Sequence, residues 1–412
     1  MIGSGGPDNA AASGKVRGSA LLPHPDLSLH YLPHAEIVWQ SGRIREVRAL
    51  LGPAPSGSLL WMPGLVDLHV HWPQSHVRGQ FSGQLLPWLR ESIWPAEAAF
   101  AEPQQADTAI ASYLLASQRA GTCAGLVFGA PFAAASRRFR ALAPPGWLEG
   151  PALMEVHALP DLLRPVPETL AELQSEPPGT LVAVSPRFAP NVTAAGLAFC
   201  AAVAAARGWP IQSHLAENQD EVQWVRALFG GARDYTDVYD QAGLLGPRTV
   251  LAHGIHLSDR ELERLAATRT TIAHCPTSNL ALGSGTMPIE RLRQFGVPWT
   301  LATDVGAGPQ LSQLDVVRAC LAVHPPGAVT AAEALCRATA VPGAWLAQFE
   351  DRLTGLGTLA IGAPAHLVGV CNVVAGEAEA AVRELLAALP VDAEQAPLAV
   401  MAWGEAIAPA NG

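Results

Sequence analysis

The sequence predicts an α/β chain: a closed (β/α)8 barrel with a small β-sandwich domain formed from both chain ends. Three observations predict it. From Trp61 onward, short apolar runs alternate with helix-length segments, the order a parallel barrel requires. The apolar runs number eight. Several of them end on His, Glu or Asp, at the strand ends where barrels of the TIM type build their sites.

The elements follow in order. Met1 to Ala20 is Gly/Ala/Ser-rich and reads as a loose tail, with residues up to about 16 outside any element. Residues 1–62 otherwise read as short strands and turns, such as Glu36–Trp39, the Ser41-Gly42 turn and Arg43–Val47. The barrel is expected over residues 63–356. Its strands are placed at Leu65–Val70, Cys123–Phe128, Ala152–Val156, Leu181–Val184, Pro210–Ser213, Thr249–Ala252, Thr270–Ala273 and Pro298–Ala302. Helices are expected at Ala194–Arg207, Asn218–Phe229, Asp259–Ala267 and Ile289–Phe295. In residues 357–412, Leu359–Gly362, Ala365–Val370 and Leu398–Trp403 return to strand character and complete the small domain.

Composition narrows the function classes. Hydrophobic residues make up 49% and charged residues 15% of the 412, enough for a large core and the reverse of a disordered balance. The net charge is -10 and the basic residues are scattered, so nucleic acid is not an expected partner. No apolar run is long enough for a membrane span and no signal peptide is evident, so a cytoplasmic setting is expected. The six cysteines stand singly, without a CxxC pair, which argues against a zinc knuckle or a redox dithiol.

The chemistry begins at Pro63-Gly64-Leu65-Val66-Asp67-Leu68-His69-Val70-His71. Residues i and i+2 of a strand share a face, so His69 and His71 can reach one ion. Gln212-Ser213-His214 ends another strand, with Glu217 three residues on. His253, His274 and Asp304 each end a later one. Three imidazoles and a carboxylate suit Zn2+, with Fe2+ as the alternative, and leave a position open for water. An ion held this way supplies hydroxide near neutral pH. Glu217 can move the proton to a leaving group, while His253 orients the water or shares the developing charge.

The run from Gln212 to Val222 resembles the guanine deaminases, in the mononuclear-metal deaminase branch of the amidohydrolase superfamily. So do Tyr235–Asp240, Ala252-His253-Gly254, Ile272–Asn279 and Thr303-Asp304-Val305. Further matches are His69–Gln74, Leu85–Leu89 with Trp94–Glu97 (a lid-like segment), and Ser185–Phe188. The resemblance implies hydrolysis of guanine to xanthine and ammonia by a homodimer with one zinc per barrel. It implies His69, His71, His214 and Asp304 as metal ligands, Glu217 as proton shuttle, and His253 as support for the water. It places Gln74, Arg187 and Phe188 on the purine. The chemistry agrees, because an arginine fork matches the O6/N7 edge of guanine. Some relatives in the superfamily bridge two metals with a carbamylated lysine; here the only lysine, Lys15, precedes the barrel.

Three departures bear on substrate identity. Ser75 stands where the family carries tyrosine, the Gly121–Cys123 strand diverges, and Pro131–Pro165 matches nothing in the family. An aminohydrolase acting on another purine, a pterin or a triazine therefore stays open as the alternative, as does a catalytically inactive binding or assembly relative. His274 is read as a pocket-lining or orienting residue rather than a ligand, and His324 as structural.

Overall fold

The structure, a computed structural model, describes residues 12–81, 84–371, 373, 375–396 and 398–407. Four strands open the chain: β1 (Gly14–Pro23), β2 (Leu29–Gln40), β3 (Arg43–Ala49) and β4 (Leu59–Pro63). The next eight are β5 (Leu65–His71), β6 (Thr122–Gly129), β7 (Trp147–Leu153), β8 (Ser185–Pro186), β9 (Ile211–Leu215), β10 (Thr249–His253), β11 (Thr271–His274) and β12 (Trp299–Leu301). β13 (Leu367–Val370), β14 (Ala399–Ala402) and β15 (Glu405–Ile407) end the series. The chain divides into two compact units.

One unit takes Met1–Val66, Ser117–Cys123 and Thr330–Gly412. Its strands form one seven-stranded sheet in the order β15-β14-β13-β4-β1-β2-β3, so both chain ends build one small β-domain as the sequence predicts. Ile37, Trp39, Ile44, Trp61 and Leu367 bury its apolar face. The expected loose tail is shorter than read, because β1 begins at Gly14; residues 1–11 lie outside the described ones. Lys15 and Arg17, two apart and so on one face of β1, both reach Glu36 on β2, which fixes that end of the strand. Leu359–Gly362 is an irregular turn, not a strand. Leu359 supplies core, and the backbone bonds at Ala363 and Gly362 go singly to Ile44. Residues 330–356, assigned to the barrel on sequence, cluster with the chain ends instead. Glu379 accepts the Ala331 and Ala332 amides and so holds the start of the Ala331–Ala338 helix within this unit.

The other unit, Asp67–Ala116 and Ala124–Val329, carries the curled parallel sheet. β5-β6-β7-β8 and β9-β10-β11-β12 are each four-stranded. The Val184–Ile211 bridge joins them at one seam. At the other, Asp304 N donates to His69 O at 2.9 Å and His71 N to Val305 O at 2.6 Å, which closes the ring. Asp67 braces that seam: its carboxylate accepts the Thr303 hydroxyl and amide and the His69 amide. Burial pushes the Asp67 carboxyl up to about 6.

Seven of the eight expected barrel strands fall on or beside observed ones; the third is displaced to β7, ahead of Ala152–Val156. Glu149 and Gly150 interrupt the apolar run there, yet Glu149 is wholly buried and accepts from the Ser136 hydroxyl. The helices Ala194–Arg207 and Ile289–Phe295 match their expected bounds. Each stops at a glycine in the left-handed region, Gly208 and Gly296, where a side chain would be strained.

Candidate active site

Strand ends and the turns after them place the polar residues. His253, the last residue of β10, and Asp304, three residues past β12, have φ of 73° and 51°. Asp and His are among the few non-glycine residues that enter this region readily, and backbone outliers of this kind gather at functional sites. Glu217 is set by a capping box: Asn218 caps the Gln219–Leu228 helix, and Glu221 reaches back to it. Glu221 Oε2 accepts the Glu217 amide at 2.8 Å and the Asn218 amide at 3.1 Å, and Tyr235 donates to its Oε1 at 2.7 Å.

These elements bring His69, His71, His214, His253, Glu217 and Asp304 together. Asp304 Oδ1 lies 3.2 Å from His69 Nε2 and 3.4 Å from His71 Nε2. The Nε2 atoms of His71 and His214 face each other at 3.2 Å. His253 Nε2 is 3.4 Å from Glu217 Oε2 and 3.8 Å from Asp304 Oδ2. Two of the outer ring nitrogens are engaged. His214 Nδ1 donates to Arg187 O at 2.5 Å, which leaves the Nε2 lone pair toward the cluster. His253 Nδ1 meets Asn279 Oδ1 at 3.0 Å with the same consequence. Ser278 donates to Asp304 Oδ2 at 2.6 Å, and Ser284 to Glu217 Oε1 at 3.1 Å.

Burial sets the charge states. It holds His71 down to about 3 and His214 well below its ordinary value, so both imidazoles are neutral near pH 7. It pushes Glu217 up to about 8, with the Asp304 charge adding to the rise. For Asp304, burial works upward, but the close imidazole contacts of His69 and His71, with the charge of His69 and His253, outweigh it and hold the carboxyl well below the usual range.

The cluster fits a metal ion. Ligand atoms of His69, His214, His253 and Asp304 all lie within 4.8 Å of one another, and His71 abuts two of them. Both ring nitrogens of His69 and Nε2 of His253 are buried without a hydrogen-bond partner. Buried polar atoms are rarely left so, and a cation shared by these lone pairs would satisfy several of them. Neutral imidazoles plus one carboxylate are a donor set for zinc or iron rather than for calcium or magnesium.

Beside the cluster opens a pocket lined by Gln74, Arg187, Phe188, Glu217, His253, Asp304 and the apolar Leu85, Trp88 and Leu89. All three residues expected on the substrate are present in that lining. Glu97, which stands in a sequence motif but has no role there, joins two of them. Its Oε2 takes Arg187 Nη1 at 2.5 Å and its Oε1 takes Gln74 Nε2 at 2.9 Å, all three side chains being buried. Gln74 Oε1 accepts the Gly306 amide at 3.2 Å. A Cβ at Gly306 would meet Gln74 O at 2.6 Å, so only glycine permits this approach. Met154, Leu162 and Phe132 pack into the apolar wall behind Phe188 and Trp88, which gives the unmatched 131–165 stretch a place beside the pocket. His274 is not in the lining; its Nε2 faces His324 instead.

The model of the amidohydrolase family matches residues 60–387. The chain belongs to the amidohydrolase family. Among its relatives is the Deinococcus radiodurans protein named "Probable guanine deaminase", 39% identical over 288 residues. That match covers 66% of this chain and 65% of the relative. The guanine deaminase of Escherichia coli is 34% identical over 298 residues, covering 68% of this chain and 66% of that protein. The matched stretch is thus just under two thirds of either relative. Among solved structures, E. coli guanine deaminase superposes with a TM-score of 0.84 at 25% identity, over 96% of this chain and 100% of that one. A second solved structure, "Guanine Deaminase from C. acetobutylicum with bound guanine in the active site", gives 0.82 at 22% identity, over 96% of this chain and 100% of that one, a likeness of fold.

The structure places His71, Gln74, Arg187, Phe188, His214, Glu217, His253 and Asp304 around one pocket, with His69 3.2 Å from Asp304. Sequence reasoning gives no role to the supporting set: Asp67, Glu97, Glu221, Ser278, Asn279 and Ser284. All but Asp67 and Ser284 lie inside the motifs that carry the resemblance. Helix-cap logic alone could single out Glu221, an acid three residues after Asn218.

Proposed function

We propose that this amidohydrolase is a guanine deaminase, converting guanine and water to xanthine and ammonia with one zinc ion. The observation that carries the reading is the joining of two chemistries in one pocket: a metal-type cluster at one end, and the Arg187–Glu97–Gln74 chain beside Phe188 at the other. The relatives named guanine deaminase support the substrate. His69, His71, His214 and Asp304 hold the ion, and the ion when bound activates water for attack.

The chain's own residues do the rest. Arg187 offers donors to the O6/N7 edge, Gln74 an amide, and Phe188 an apolar face, so that C2 is turned toward Glu217. Water adds to C2, and the bond from C2 to the exocyclic nitrogen breaks. Glu217 takes a proton from the water and returns it to the departing amine. The raised affinity of its carboxyl for a proton suits both halves of that transfer. His253, 3.4 Å from Glu217 and 3.8 Å from Asp304, steadies the water between them. The family resemblance is also the support for reading the enzyme as a cytoplasmic homodimer, which sedimentation and fractionation would check.

The test is ammonia release from guanine beside adenine, 8-oxoguanine, a pterin and a triazine, with zinc-loaded protein and a Glu217→Ala control. Preferential guanine turnover that the substitution abolishes is the expected result. Turnover of another amine in place of guanine overturns the substrate, and none at all overturns the activity.

A further inference from the structure

A second cluster of metal-type side chains lies outside this machinery. His274, at the end of β11, meets Cys320 and His324 from the helix that follows β12. Cys320 is on the Gln313–Val323 helix and His324 caps it, four residues later, so both project on one side of its C-terminal turn. His274 and Cys320 are wholly buried and His324 is 8% exposed. Their ligand atoms lie within 4.8 Å of one another, close enough to share one ion.

The imidazole geometry is the telling part. His274 Nε2 and His324 Nε2 face each other at 3.0 Å. His71 and His214, which the amidohydrolase cluster brings to one ion, face each other at 3.2 Å in the same way. With Zn–N bonds of about 2.0–2.1 Å, two nitrogens on one tetrahedral ion stand roughly 3.3–3.4 Å apart, so little movement separates either pair from coordination. A thiol beside both rings changes what such a pair can do. Two imidazoles alone can share a proton, whereas two imidazoles and a thiolate are a set for a borderline-soft divalent cation.

We propose that His274, Cys320 and His324 form a second divalent-metal site, one thiolate and two imidazoles of the kind that takes zinc, with water in the fourth position. Its place in the fold gives it a role. β11 runs straight into the Pro276–Ala281 helix, which supplies Ser278 to Asp304 and Asn279 to His253. The Gln313–Val323 helix packs against that same helix. An ion bridging His274 to Cys320 and His324 clips these two elements together, and so fixes the residues that orient the catalytic ligands.

The test uses the full chain, stripped with chelator and reloaded with cobalt or zinc alone. The expected result is a second ion per chain by elemental analysis, and a thiolate-to-cobalt charge-transfer band in the near ultraviolet. No cysteine belongs to the catalytic ligand group among the described residues, so the band reports on the second site and is lost in Cys320→Ser. His324→Asn should return the ion count to that of the catalytic site alone. A single ion per chain and no band in the unaltered protein overturns the proposal and leaves a proton-sharing imidazole pair. A band that survives Cys320→Ser overturns it as well. Neither readout depends on which substrate the enzyme takes.

Discussion

The two ends of the pocket are built differently. The metal end comes from strand termini: β5 gives His69 and His71, β9 gives His214, β10 gives His253, and Asp304 follows β12. Ladder hydrogen bonds fix those positions before any side chain is chosen. The end proposed to hold the purine comes from connecting segments. Gln74 follows β5 on a short turn, Arg187 and Phe188 follow the two-residue β8, and Glu97 sits on the Trp94–Ala98 helix. The Arg187 amide still donates to Leu153 O on β7, but it is the buried Glu97 carboxylate that joins the Arg187 and Gln74 side chains. One end is positioned by backbone and the other by a charge network, so removing a single side chain should have different consequences at each.

The largest effect tests the metal end. Asp304→Asn, or chelation of the native protein, should lower kcat/KM on the order of 10,000-fold or more, with ion content falling in parallel by elemental analysis. Circular dichroism should stay unchanged, because the strand ends hold without that side chain. Glu217→Gln comes next. It should retain the ion and lose about 100- to 10,000-fold in kcat, with KM little moved.

At the other end, Arg187→Met leaves Glu97 buried with no cation. It should raise KM and also destabilise the fold by about 3–5 kcal/mol, measured by denaturant unfolding. Adding Glu97→Gln to it should recover part of that stability but none of the KM. A double-mutant coupling of about 0.5–3 kcal/mol is expected, and strict additivity would mean the bridge is no network. The smallest effect is Phe188→Leu. It should cost about 1.5 kcal/mol or less in substrate affinity, read as a roughly tenfold rise in KM with kcat retained.

The same contrast explains what is legible in the sequence. His69 and His71 are readable because a strand repeats every second residue, and His214, His253 and Asp304 because each ends an apolar run. The Ala194–Arg207 helix is readable as a helical stretch between apolar strands, to which the structure adds the Thr193 cap and the left-handed Gly208. Glu97 is not, since its meaning depends on Arg187, 90 positions away, and no local pattern carries that pairing. β7 is hidden for a related reason. Glu149 looks like a surface residue in the sequence, and only the buried Ser136 hydroxyl and the Arg140 guanidinium nearby explain why it lies inside. The chain-end domain is legible as strands from both ends but not in its strand order, which depends on partners far along the chain. The partner of His274 is equally out of reach, since His324 is 50 positions away.

The seam between β5 and β12 also gives the molecule a built-in sequence of assembly. Asp67 and Thr303, which brace it, are 236 positions apart, and contacts of such separation are slow to form. A growing chain on the ribosome therefore displays His69 and His71 for most of its synthesis before Asp304 exists. Capture of the ion becomes possible only when the last strand meets the first. Ion uptake during refolding would then act as a stopwatch for that final step, and incomplete chains would carry the first two histidines without a trapped cation.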